Sequence, residues 1–247
     1  MQMTQNTILI TGGTSGIGLE LARAFHALGN QVIIAGRRQV LLDEISAAHP
    51  GMTGYRLDMT DASALADFAA EITSRHPALS VLINNAGIML AENLMTQDLA
   101  TSDSTIATNL TGPIHLTAAL LPLLLSQPRA AVLNVTSGLA FVPLMHTPTY
   151  NATKAALHSY TQSLRAQLRD TAVQVIELAP PGVQSDLMPG HASDPHMMPM
   201  ADFIAETLAK LHAMPDAAEI CVDRVLFLRN AETEGRYAQT FAMLNGL

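Results

Sequence analysis

The chain has 247 residues and a formal net charge of −8, from 13 Lys and Arg against 21 Asp and Glu. That balance excludes the basic surface by which nucleic acid or an anionic membrane would be held. Hydrophobic residues make up 49% and charged residues only 14%, so part of the surface is expected to be covered, most simply by a second copy of the chain. The single cysteine, Cys221, excludes an intrachain disulfide and any cysteine cluster for a metal.

The start, MQMTQNTILITGG, has no cationic segment ahead of its first apolar run and reads as that of a cytoplasmic protein. TILIT (7–11) is the first expected strand. TGGTSGIG (11–18) follows it and opens a helix, IGLELARAFHALG, with Gly29 as a natural C-terminal cap. Tight turns at Gly12 and Gly16 would let backbone approach a ligand that a Cβ would block, and Gly18 would let the helix pack closely on the sheet. The helix N-terminus then offers N–H groups and partial positive charge to a pyrophosphate. Glycine spacing alone also fits an ordinary strand-to-helix turn. No Lys-Ser/Thr follows the last glycine, which excludes a P-loop. QVIIA (31–35) is the second strand and runs into Gly36, Arg37 and Arg38. An acid there would accept from the 2′-hydroxyl of NAD, whereas guanidinium suits the 2′-phosphate of NADP. The expectation is NADP(H), with NAD(H) as the other candidate; two solvated arginines opening a helix is the plainer reading.

VLLDEISAAH is helical, GYRL (54–57) a strand, and ASALADFAAEITSRH a helix with Asp61 as its N-cap. SVLIN (80–84), AAVLNVT (130–136) and VQVIELA (173–179) are further strands, and the segment from about 98 to 125 is one long helix. Its end, AALLPLLL (118–125), contains Pro122 and is far too short to span a membrane. YNATKAALHSYTQSLRAQLRD has helical period. GVQSDLMPGHASDPHMMPM, from about 182 to 200, reads as a mobile surface loop before a helix near 200–213. Nearly continuous apolar strands alternating with helices imply a doubly wound parallel α/β sheet covered on both faces. No linker or repeat divides the chain, so residues 1–247 read as a single domain.

TYNATK (149–154) carries one of only two lysines, Lys154, four residues after Tyr150. On a helix that spacing puts both side chains on one face. With the glycine-rich turn, NNAG (Asn84–Gly87), Ser137 upstream of the Tyr/Lys pair, and Pro181-Gly182 after the sixth strand, the chain resembles the short-chain dehydrogenase/reductase superfamily over nearly all of its first 185 residues. The resemblance implies a Rossmann-type fold and hydride transfer between NADP(H) and a carbonyl or alcohol. It implies Asn109, Ser137, Tyr150 and Lys154 as catalytic residues. For the cofactor it implies Gly12, Thr14, Ser15, Gly16, Ile17, Gly18, Arg37, Arg38, Asp58, Met59, Asn85, Ala86, Gly87, Pro181, Gly182 and Val183, with Tyr150 and Lys154 reaching the same molecule. LDMTD (57–61) looks like the family's adenine-side loop, which gives Asp58 the adenine amino group. Asn109 would help carry a water-linked proton path, and Ser137 would hydrogen-bond the substrate oxygen.

A free tyrosine titrates near 10 and is a poor base at neutral pH. The Lys154 ammonium and an oxidised nicotinamide are expected to bring Tyr150 toward the working range. Residues 138–146, Met89, Leu90 and the loop after Pro181 are largely apolar, which favours a hydrophobic ketone, aldehyde or alcohol. His191 and His196 have no third ligand beside them in the sequence, so no metal is expected. The end, AEICVDRVLFLRNAETEGRYAQTFAMLNGL, offers EICV as a strand but lacks the family's glycine-rich finish. It looks more like that of the shorter DltE-like bacterial members, which weakens a tetramer contact through the last strand. A homodimer through the two long helices is expected at least, with a homotetramer as the larger candidate. The rival class is a dinucleotide-binding regulator or scaffold without catalysis. TSG around Ser137 lacks the hydrolase elbow.

Overall fold

The structure, a computed structural model, describes every residue except Gln97. One sheet of seven parallel strands is formed by β1 (Thr7–Thr11), β2 (Gln31–Gly36), β3 (Met52–Arg56), β4 (Leu79–Asn84), β5 (Ala130–Val135), β6 (Val173–Ala179) and β7 (Glu219–Cys221). Their spatial order is β3-β2-β1-β4-β5-β6-β7. The helices are α1 (Gly16–Ala27), α2 (Gln39–Ala48), α3 (Ala62–Arg75), α4 (Leu99–Ile106), α5 (Gly112–Leu125), α6 (Pro148–Leu168), α7 (Met200–Ala213), α8 (Leu226–Arg229) and α9 (Tyr237–Asn245). This is the doubly wound architecture expected from the alternating pattern.

Successive strand residues face opposite sides, so each strand feeds two cores. Ile8 and Ile10 of β1 join Leu21 and Phe25 of α1 and Phe203 of α7. Leu9, between them, joins Leu116 and Leu120 of α5 and Leu164 of α6. The order of strand addition reverses between β1 and β4, β2 and β3 lying to one side and β5 to β7 to the other, and the carboxyl ends of strands at such a point form a crevice.

Three elements differ from the sequence reading. β3 begins at Met52 rather than Gly54, because buried Met52 pairs with Val32 at the start of β2. Gly54 lies inside the strand for a packing reason: a Cβ there would sit 2.9 Å from Leu42 Cβ of α2. The long helix is broken by a π turn over Ala107–Thr111, which separates α4 from α5. Such a turn adds a residue to the helical circuit and re-aims side chains. It turns Asn109 inward, and Gly112 just beyond it lies so near the Met59 carbonyl that a Cβ would be 2.6 Å away. Leu99–Leu125 is long and apolar enough to cross a membrane by length and composition, yet its Leu116, Leu120 and Leu124 are fully buried in the core. Finally, the loop after β6 is closed at its base: Val183 pairs with Met198, and both are buried. Asp61 caps α3 as expected, accepting from Ser63 N and Ala64 N at 3.0 Å each.

Candidate active site

The crevice is a cavity of about 780 Å³ over the carboxyl ends of β1, β2, β4, β5 and β6. Its floor is the turn between β1 and α1. Gly12 and Gly16 hold φ of +67° and +56°, which side chains rarely adopt. A Cβ on Gly12 would meet Ala86 Cα at 2.9 Å, and one on Gly18 would meet Asn85 Nδ2 at 2.3 Å and the Gly12 oxygen at 2.4 Å. The turn is stitched to the loop after β4: Thr11 Oγ1 accepts from Asn85 N and Ala86 N at 3.0 Å each. Asn85 Nδ2 donates back to the Thr11 oxygen at 3.0 Å. Ser15 precedes α1 without capping it, so the first N–H groups of the helix are not taken by its side chain.

Arg38 reaches over this turn and donates to Thr14 Oγ1 at 2.8 Å and Ser15 Oγ at 2.7 Å. Arg37 lines the same end, beside Asp58. The Thr60 backbone N–H holds the Asp58 carboxyl below its usual range, against a weaker opposing effect of burial, with Arg37 among the smaller contributors. A floor that leaves no room for a Cβ, open helix N–H groups and two guanidinium groups at one end fit a phosphorylated dinucleotide.

At the other end Ser137, Tyr150 and Lys154 line the cavity together. Ser137 closes β5, where its Oγ accepts from Leu139 N at 3.1 Å. Tyr150 faces Ser137 closely enough for the Ser137 hydroxyl to act on its titration. Lys154 Nζ donates to the Val135 oxygen at 2.8 Å and lies 5.6 Å from the Tyr150 ring centre. Burial, relieved in part by the Ser137 hydroxyl, pushes Tyr150 up to about 12, and burial pulls Lys154 down to about 8. The expected fall of the Tyr150 pKa is therefore not produced by the protein alone. Helical spacing reports that the two groups are close, but not that both leave water, and in this site desolvation is the dominant cause for each.

Of the residues expected around the cofactor, Gly18 does not line the cavity; it lets α1 approach Gly12 and Asn85. Asn109 does not line it either, and it is fully buried. Its Oδ1 accepts from Ile88 N at 2.8 Å, and its Nδ2 donates to the Ile88 oxygen at 2.8 Å and to Thr153 Oγ1 at 3.3 Å. It thus fixes the loop after β4 beneath Gly87. The remaining expected cofactor residues all face the cavity.

The sequence reading missed the wall opposite Tyr150. Arg224, Phe227, Leu228, Met243 and Leu244 come from α8, α9 and the turn before them. Asn245 anchors α9 by accepting from Met145 N at 2.6 Å and donating to the Pro143 oxygen at 3.1 Å. The signal available was the amphipathic run AQTFAMLNGL, which has no glycine-rich strand to follow. His191 and His196, from the loop after β6, also border the cavity, and Arg224 Nη2 donates to the His196 oxygen at 2.6 Å. Among the described residues no group of three or more His, Cys, Asp or Glu side chains stands close enough to hold a metal ion.

The sequence model of short chain dehydrogenases matches residues 6–195. An uncharacterized oxidoreductase, DltE, of Bacillus subtilis (strain 168) is 47% identical over 189 residues, spanning 76% of this chain and 75% of that one. Among solved structures, a short-chain dehydrogenase from Streptomyces avermitilis superposes with a TM-score of 0.84 at 23% identity, covering 96% of this chain and 95% of that one. A closed form of serine dehydrogenase complexed with NADP+ gives a TM-score of 0.78 at 25% identity, covering 87% and 92%.

Proposed function

The chain belongs to the short-chain dehydrogenase family, and from that premise we propose that it is an NADP(H)-dependent oxidoreductase interconverting a carbonyl and an alcohol. One observation carries the reading: the Tyr150 phenol, with Ser137 and Lys154 beside it, closes the cavity whose far end is Arg38. The NADP+ held by the similar serine dehydrogenase supports the choice of phosphorylated cofactor. Arg37 and Arg38 would hold its 2′-phosphate, the turn at Gly12–Ile17 its pyrophosphate, and Asp58 its adenine side. Bound there, the cofactor would exchange hydride with the substrate and, when oxidised, add positive charge beside the phenol.

The protein's own part is proton chemistry. Ser137 donates a hydrogen bond to the carbonyl oxygen, and Tyr150 delivers its proton there as negative charge develops. With Tyr150 up at about 12 the resting group is the neutral phenol, which is the form that reduction needs. Lys154 holds the cofactor's ribose side and limits the cost of phenolate. Met89, Leu90, Leu139, Leu144, Phe227 and Met243 around the substrate position favour an apolar ketone or aldehyde. A homodimer through α4, α5 and α6 completes the proposal; light scattering at micromolar concentration that finds a monomer would end it.

The deciding experiment follows NADPH oxidation with a panel of aliphatic and aromatic ketones and aldehydes, beside Tyr150→Phe. Turnover is expected, and the variant should lose about 10²–10⁴-fold in kcat with NADPH affinity retained. Tight NADPH binding without turnover on the panel would favour the regulator instead. Near-normal turnover by Tyr150→Phe would remove Tyr150 from its role.

A further inference from the structure

Behind Ser137 lies a buried polar cluster that this chemistry does not use. Glu177 on β6 is 1% exposed. Its carboxylate accepts from the Thr136 hydroxyl at 2.7 Å and from His158 Nδ1 at 2.9 and 2.8 Å. Thr136 is the chain neighbour of Ser137. His158 is one helical turn beyond Lys154 and two beyond Tyr150, on the same face of α6.

The link belongs to a ladder. Asn134 Nδ2 donates to Thr161 Oγ1 at 2.9 Å, and Lys154 Nζ donates to the Val135 oxygen at 2.8 Å. Thr136 reaches α6 through Glu177 and His158. Three consecutive residues, Asn134 and Val135 ending β5 and Thr136 just beyond it, are thus tied to three turns of the helix that carries Tyr150. The chain beyond Ser137 is gripped as well: Phe141 lies 5.0 Å edge-on from the His158 ring and 4.6 Å from the Arg229 guanidinium. Glu219 fixes Arg229 at 2.5 and 3.0 Å. A buried carboxylate carries a desolvation cost that its partners must offset, so stability alone is a poor reason for one in this position.

We propose that Glu177, with His158 and Thr136, forms a positioning device that sets Ser137 against Tyr150. This rests on reading Ser137 and Tyr150 as the carbonyl-binding pair. Its reason is distance: a reacting group displaced by about 1 Å can lose about a hundredfold in rate. Glu177 and His158 touch neither the substrate position nor the cofactor end; they act through Thr136.

The test uses Thr136→Val, which keeps shape and removes the hydroxyl, with His158→Leu, His158→Asn and the double variant Thr136→Val/His158→Leu. Asparagine retains a donor where Nδ1 stands. Thr136→Val should lower kcat on the best panel carbonyl by about 10–100-fold, with KM and NADPH affinity within about threefold. His158→Asn should stay within about threefold of the unaltered protein, and the double variant should be no worse than the poorer single one, because the two residues serve one link. Amide hydrogen exchange supplies a readout free of substrate: Thr136→Val should raise exchange at residues 137–142 by about tenfold or more, while β1 and β2 stay protected. Unchanged kcat in Thr136→Val, additive losses in the double variant, or unchanged exchange at 137–142 would overturn the proposal. If the unaltered protein turns over none of the carbonyls, the proposed function falls, and the exchange measurement still decides whether Glu177 fixes the Ser137 segment.

Discussion

The two ends of the cavity are built on different principles. At the phosphate end, Gly12 and Gly18 sit where a Cβ would come within 2.3–2.9 Å of other atoms, so backbone geometry itself dictates the residue. At the substrate end, Phe227 and Met243 are 44% and 61% exposed, and many apolar residues would fit as well. The family's sequence model spans residues 6–195, so it includes the first end and stops before α8 and α9 complete the second. A steric prohibition leaves a fixed mark in sequence, while an apolar wall leaves only a composition. The first end defines what kind of protein this is, and the second is free to set what it acts on.

The comparison breaks most sharply at Gly18. Gly18→Ala should destabilise the fold by about 3 kcal/mol, at the upper end for overpacking, and weaken NADPH binding, as read by denaturant titration and fluorescence. A variant with unaltered stability and affinity would show that the constraint is not steric. Next comes Arg38→Ala. Loss of a charge-assisted contact worth about 2 kcal/mol should weaken NADPH about 30-fold and leave NADH nearly unchanged. Equal losses for both cofactors would remove Arg38 from phosphate recognition.

At the other end, Phe227→Ala or Met243→Ala should shift KM among panel carbonyls by up to about tenfold, with NADPH affinity the same. A loss of cofactor binding in either variant would mean that the ends are not independent. The last prediction concerns Lys154, at the join. Its folded pKa of about 8 lies below the ordinary 10.5, so the unfolded chain binds more protons between those values. Stability should therefore rise with pH from about 8 to about 10.5 relative to Lys154→Met. Tyr150, raised from 10 to about 12, has the opposite sign, and stability should fall from pH 10 to 12. Denaturant titrations of the two proteins across that range would detect the difference; parallel curves would place Lys154 in water.

The division also explains what could be read in advance. β6 was legible to its ends because a strand covered on both faces is nearly continuously apolar, here interrupted only at Gln174 and Glu177. The Tyr150–Lys154 pair was legible because helical spacing fixes its geometry. Burial of that pair was not, so the rise of the Tyr150 pKa in the protein alone could not be read in advance. The π turn at Ala107–Thr111 leaves no local signature, since it answers to the loop after β4 that Asn109 holds. Glu177 sits unannounced inside an apolar strand, and its partners come from β5 and α6 through tertiary contact alone.

The Thr11 hydroxyl joins residues more than seventy positions apart, at Asn85 and Ala86. Until β1 has found β4, the cofactor's floor does not exist. Closing so long a loop is slow compared with forming α1, so the site should be among the last features to mature during refolding. A cofactor that binds only after this closure draws the chain toward its finished form, by RT ln(1 + [L]/Kd). Added early in refolding, NADPH should raise the yield without hastening the first collapse, so that one threonine makes the cofactor an inspector of completed folding.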